Sequence, residues 1–141
     1  MKYAISGSHG FIGKTLGERL VRFESLGREG FVPNNIDVVF DLAAYGNLAS
    51  QPKDEKKIYE ANLIRVIKSF SHLNKKTKFI YISTSSVTLP VQTAYSLSKK
   101  ATEDYLLFKA KEGYQVAIAR PYTIIGPGEP KEHLIPMLIR S

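Results

Sequence analysis

Cysteine is absent from the chain, which rules out disulfides and thiolate metal sites and is consistent with a reducing compartment. The histidines, His9, His72 and His133, are scattered without ligand spacing, so no metal site is expected and they read as ordinary surface or loop residues. Long apolar runs are also missing. None approaches the roughly 20 residues that cross a bilayer, and Met1 to Ser6 runs into a glycine turn before an export signal could form. A soluble, cytoplasmic protein is the expectation. Internal repeats, low-complexity stretches and linkers are lacking too; the turn-rich Gly27 to Asn35 is too short to separate domains. With 141 residues, 43% of them hydrophobic, the chain is expected to form one domain over residues 1–141 with a real core.

What is abundant is positive charge. The formal net charge of +7 invites a nucleic-acid reading, with Lys75, Lys76 and Lys78 close together and Lys53, Lys56 and Lys57 upstream. Most aromatics, however, lie within strand-like runs and do not alternate with the basic residues as stacking platforms would. These lysines therefore read as a solvated helix face and the loop after it. The excess charge also suits attraction of a phosphorylated cofactor.

β-Branched and aromatic runs at Lys2 to Ser6, Asp37 to Ala44, Lys78 to Ser83 and Gln115 to Tyr122 predict buried strands. Between them, Ile12, Leu16 and Leu20 repeat at four. Leu63, Val66, Ile67, Phe70 and Leu73 form the stripe of an amphipathic helix, and a third helix runs from Tyr95 to about Lys111. Alternating strands and helices imply a Rossmann-like α/β fold, a parallel sheet with helices on both faces and right-handed crossovers.

The most informative residues are Tyr95 and Lys99, four positions apart and so on one helix face. They follow a hydroxyl-rich strand end, Ser83-Thr84-Ser85-Ser86. With the two charges about 4 Å apart at an effective dielectric near 20, the ammonium would favour tyrosinate by about 4 kcal/mol, roughly 3 pKa units. A phenol so poised serves as acid or base near neutrality. Upstream, the first strand is followed at once by Gly7, Gly10 and Gly13 and then a helix. Glycines let backbone approach a pyrophosphate, and the helix N-terminus offers it free amides. Taken singly, each feature has a plainer explanation: a tight strand-to-helix turn, a Tyr95 capping an apolar face beside a solvated Lys99, a Thr84 bonding local backbone, and an Asn62 satisfying groups near the buried stripe.

In order along the chain, these motifs resemble the extended branch of the short-chain dehydrogenase/reductase superfamily, the NAD-dependent epimerase/dehydratase family. The G-x-x-G-F-I-G turn matches Gly7, Gly10, Phe11, Ile12 and Gly13. The strand that passes the cofactor matches Asp37 to Ala44, including Leu42, Ala43 and Ala44; a helix asparagine matches Asn62; and the hydroxyl strand end matches Ser83 to Ser85. The Y-x-x-x-K pair matches Tyr95 and Lys99, and an R-P-x-x-x-x-G-P-G segment matches Arg120, Pro121, Gly126, Pro127 and Gly128. The resemblance implies NAD or NADP as cofactor and a small-molecule substrate, a nucleotide sugar or similar. Tyr95 would exchange a proton with a substrate oxygen, Thr84 would hydrogen-bond that oxygen, and Lys99 would bond the nicotinamide ribose while holding the phenol pKa down.

The sequence departs from the family pattern in several places. Arg22 to Ile36 is too short for the two strands and helix usually found there, leaving Phe23 to Arg28 as a shortened second strand, with Glu24 or Arg28 near the adenosine ribose; Arg28 leans toward NADP. The connection from Thr84 to Tyr95 is short, Thr123 stands where an asparagine is common, and the chain ends at Ser141 in a helix beginning near His133. A reduced strand count and a missing C-terminal substrate domain follow. Leu134, Ile135, Met137, Leu138 and Ile139 are then left without an evident partner, which predicts a homo-oligomer or marginal stability. Two other function classes stay open: a dinucleotide-binding module without catalysis, and a non-specific nucleic-acid binder with steeply salt-dependent affinity.

Overall fold

The computed structural model describes residues 1–46, 54–131 and 133–140. In chain order the elements are β1 (Tyr3–Ser6), α1 (Phe11–Leu20), β2 (Glu24–Leu26) and β3 (Val38–Asp41). A helical rod follows, made of α2 (Glu55–Tyr59), a π-helical turn (Glu60–Ile64) and α3 (Arg65–Phe70). The remaining elements are β4 (Lys78–Ile82), a 3₁₀ turn (Ser85–Thr88), α4 (Ala94–Lys111), β5 (Gln115–Ala119) and α5 (Leu134–Arg140). All strand pairings are parallel, in the order β2-β1-β3-β4-β5. Lys53 lies outside the described residues. Among the described residues no helix is long and apolar enough to cross a membrane.

Parallel neighbours require crossover connections. The chain steps from β1 to β2 in one direction and from β3 through β4 to β5 in the other. Right-handed crossovers then put α1 on one face of the sheet and the α2–α3 rod with α4 on the opposite face. Ala4, Val39 and Phe79 align across β1, β3 and β4 and point into the second layer. There they join Tyr81, Val66, Phe70, Leu73 and Leu106 in the main core. Phe70 is its hub, with its ring centroid 4.9 Å from that of Phe79 and 5.2 Å from that of Tyr114. Burying one such side chain contributes about 1.5–3 kcal/mol.

The shortened region between α1 and β3 contains one strand, β2, in register with β1. Val32 and Ile36, in the connection from β2 to β3, are buried in the main core. A helixless segment thereby fills space beside the rod. The strand predicted over Asp37 to Ala44 is shorter than expected: its ladder stops at Asp41, because Leu42 to Ala44 leave the sheet to pack against the glycine turn.

Candidate active site

The reversal of strand order falls between β1 and β3, where the connections leaving the carboxyl ends of two paired strands run in opposite directions and leave a crevice. Two glycines hold its floor. Gly7 has φ +73°, and a Cβ there would sit 2.8 Å from the Ala43 nitrogen; a Cβ on Gly13 would sit 2.1 Å from the Gly7 carbonyl oxygen. The turn thus presses simultaneously on α1 and on the Leu42–Ala44 segment. Gly10 occupies the N-cap without a side chain to offer, and the first amide to find a carbonyl is that of Lys14, 3.0 Å from the Gly10 oxygen. The amides of Phe11, Ile12 and Gly13 have no hydrogen-bond partner among the described residues, which is the donor set an anion accepts.

Beside the turn lies a crevice of about 960 Å³ lined by Gly7, His9, Arg28, Ala43 and Ala44 together with Tyr45, Lys57, Ile64 and Lys68. Its far wall is secured by two buried polar networks. Asn62, in the π-turn, accepts from the Tyr45 amide at 2.8 Å, donates to the Tyr45 carbonyl at 3.1 Å, and donates to the Ser98 hydroxyl at 3.0 Å. The plain explanation holds here: by satisfying nearby backbone and bonding Ser98, Asn62 ties the crevice wall to α4. π-Turns commonly occur at functional positions.

The second network was not anticipated from the sequence. Arg65 forms a bidentate pair with Asp41 at 2.7 and 2.9 Å, and donates to the carbonyls of Ala43 and Ala61, both at 3.1 Å. Ser6 also donates to Asp41 and accepts from the Ala43 amide at 3.2 Å. Asp41 and Arg65 are 1% and 6% exposed, so the charge of each is compensated chiefly by the other. A signal was present for the acid alone: Asp41 stands inside a run read as a buried strand, whereas Arg65 falls opposite the Leu63–Leu73 stripe.

Tyr95, Lys99 and Thr84 lie at the carboxyl end of β4 rather than on the crevice lining. A capping box starts α4: Thr93 and Ser96 exchange side-chain-to-backbone hydrogen bonds at 2.8 and 3.2 Å, which fixes Tyr95 in the first turn. Ser98 donates to the Tyr95 carbonyl at 2.7 Å. The Tyr95 phenol makes no hydrogen bond among the described residues. Lys99 is buried; its amine donates to the Ile82 carbonyl at 2.6 Å and lies 4.3 Å from the Tyr81 ring centroid. Thr84 accepts from the Ser86 amide at 3.2 Å and shares a 3.1 Å hydroxyl contact with Ser86, a local bond of the kind strand-end threonines make.

The electrostatics depart from the sequence expectation. Burial pushes the Tyr95 phenol above its ordinary value, and burial brings the Lys99 amine down to about 8. Spacing alone implied a lowered phenol pKa. In the chain by itself the amine is engaged by the Ile82 carbonyl and the Tyr81 ring, and desolvation dominates the phenol.

Pro121 is placed by a further ion pair. Arg120 bonds the buried Glu103 of α4 at 2.9 and 2.5 Å, and the Pro121 carbonyl accepts from Ser85 at 3.1 Å. The segment continues to Gly126, where a Cβ would lie 3.6 Å from the Phe11 ring. The Arg120–Gly126 stretch therefore connects the Thr84 corner to the start of α1. On the opposite end of the sheet, Lys75 donates to the Glu112 carbonyl and Lys109 pairs with the Glu112 carboxylate, both at 2.7 Å, so part of the excess positive charge is internally engaged. No cluster of metal-ligating side chains occurs among the described residues.

The sequence model of the NAD dependent epimerase/dehydratase family matches residues 23–141. The chain belongs to this family. The match begins after the glycine turn, so the turn's assignment rests on its own geometry. No curated protein sequence matches the chain significantly. Among solved structures, MoeE5 in complex with UDP-glucuronic acid and NAD is similar at TM-score 0.80 and 20% identity, over 99% of this chain and 60% of that one. UDP-N-acetylglucosamine 4-epimerase from Methanobrevibacter ruminantium M1, in complex with UDP-N-acetylmuramic acid, is similar at TM-score 0.81 and 18% identity, over 99% and 61%. The Bordetella bronchiseptica enzyme WbmF in complex with NAD+ gives 0.77 and 20%, over 91% and 51%. At these identities the likeness is one of fold, and the chain spans about 60% of the length of the first two.

Proposed function

We propose that the chain is the dinucleotide-binding part of an NAD(P)-dependent epimerase, dehydratase or reductase acting on a hydroxyl or carbonyl group, with a nucleotide sugar as substrate. The observation that carries this reading is the bare N-terminus of α1 at the strand-order reversal, with three unpartnered amides beside a crevice of about 960 Å³. Membership of the family supports the cofactor, and the UDP-sugars bound to MoeE5 support the substrate class.

The residues fit such a cofactor. Phe11, Ile12 and Gly13 would hold the pyrophosphate; Leu42, Ala43 and Ala44 would wall it; Arg28 would meet the adenosine ribose. Lys99 and Tyr95 would face the nicotinamide ribose, with Pro121 and Asn62 holding the surrounding backbone. When bound, the cofactor supplies or takes up a hydride at the substrate carbon. The chain's own part is proton transfer. Tyr95 gives or receives the proton of the substrate oxygen, and Thr84 turns its hydroxyl from Ser86 to that oxygen. The ammonium of Lys99 would hold the nicotinamide ribose and stabilise the tyrosinate that forms at Tyr95.

A second reading, a binding module without turnover, is favoured by the local engagement of Thr84 and Lys99. Titration with NADH and NADPH followed by nicotinamide fluorescence, and then turnover assays on UDP-sugars with Tyr95→Phe, separates the two. Loss of turnover at unchanged cofactor affinity supports the enzyme. Cofactor binding with no turnover in the parent chain supports the module, and absence of dinucleotide binding overturns both.

A further inference from the structure

The charge around the adenosine end of the crevice does not suit the free ribose diol of NAD, which is met by a carboxylate at the end of the second strand. Here β2 ends at Leu26 and is followed by Gly27 and Arg28. Glu24, the carboxylate within β2, does not line the crevice, and the Ser25 hydroxyl is taken by Ser8 at 2.6 Å. Arg28 does line it. So do Lys57 from α2 and Lys68 from α3.

These cations are in surplus. Arg28, Lys57 and Lys68 form no ion pair among the described residues, and the Lys57 ammonium lies 4.5 Å from the Tyr45 ring centroid at the crevice wall. The charge of Arg65 is answered by Asp41. Of the lining carboxylates, Glu60 lies 3.8 Å from the Lys56 amine, which leaves Glu29 as the other acid on a lining that carries three cations. Resting on the dinucleotide reading above, we infer that this end of the crevice receives a phosphate monoester on the adenosine ribose, so that the cofactor is NADP(H) rather than NAD(H). A guanidinium at the strand end forks onto a phosphate, and the two ammonium groups of the rod add charge at longer range.

Calorimetric titration of the chain with NADPH, NADH, adenosine 2′,5′-bisphosphate and 5′-AMP tests this. The phosphorylated member of each pair is expected to bind about tenfold or more tightly, with the preference shrinking as salt is raised. Arg28→Ala is expected to lose about tenfold toward NADPH while NADH stays within about twofold, and Glu29→Gln leaves NADPH affinity undiminished. Lys68→Ala, on the exposed side of the rod, supplies an independent variant. Equal affinities, a preference for NADH, or selective loss of NADH in Glu29→Gln overturns the inference and leaves the dinucleotide reading intact. Failure of all four ligands to bind removes both.

Discussion

Replacing Arg65 by Met is the most informative perturbation of the framework. The side chain makes two bonds to Asp41 and one each to Ala43 and Ala61, and its removal strands a carboxylate that is 1% exposed with only Ser6 as donor. Breaking a buried pair on one side costs about 3–5 kcal/mol, against a total stability of about 5–15 kcal/mol for a domain. With a urea m-value of about 2 kcal/mol/M, the midpoint followed by circular dichroism should fall by about 2 M. The double variant Asp41→Leu/Arg65→Met removes both charges. It should recover about 1 kcal/mol of that loss, since Ser6 and the carbonyls of Ala43 and Ala61 still lose partners worth about 1 kcal/mol each. A single-variant loss below about 1 kcal/mol, or a double variant no better than the single, would refute the claim that this pair anchors the crevice wall.

Other outcomes follow from the same geometry. Gly13→Ala drives a Cβ into the backbone of Gly7 and Ser8 and should cost at least about 2 kcal/mol in urea unfolding, whereas Gly27→Ala, with nothing within 4 Å, should be close to neutral. Because burial lowers the Lys99 pKa to about 8 from an ordinary 10.5, the unfolded chain binds more protons between those values, and stability must rise with pH there. The gain from pH 8 to pH 10 should be about 2 kcal/mol, should be absent in Lys99→Met, and should reverse above pH 10 as the unfolded chain's tyrosines ionise more readily than the half-buried Tyr95. With Met137 55% and Ile139 80% exposed on α5, sedimentation at micromolar concentration is expected to give a homo-oligomer; a stable monomer would count against that expectation.

Much of the fold is legible because its signals are periodic. The runs ending at Ser6 and Ser83 fall within two residues of β1 and β4, and α4 begins one residue before Tyr95, where the Thr93–Ser96 capping box sets it. Glycine spacing identified the turn, although the need for Gly13 comes from contact with Gly7, which spacing cannot supply. The run through Leu42 to Ala44 looks like strand because its composition is apolar; contact with Gly7 takes it out of the sheet. The Asp41–Arg65 pair and the π-turn around Asn62 are tertiary features, formed between residues distant in sequence or by one inserted helical position. The raised pKa of the Tyr95 phenol was not legible for a related reason: spacing places Lys99 on the same helix face, while burial and the pull of the Ile82 carbonyl on the amine appear only once β4 is packed beneath α4.

The central claim is that a dinucleotide lies across the amides at the start of α1. Titrating a ¹⁵N-labelled sample with NADPH and NADH while following amide chemical shifts addresses it directly. The largest shifts are expected at Phe11, Ile12 and Gly13, with smaller ones at Ala43, Ala44 and Tyr95. Shifts confined to the Lys75 and Lys109 end of the sheet, or no shifts at millimolar ligand, would contradict it.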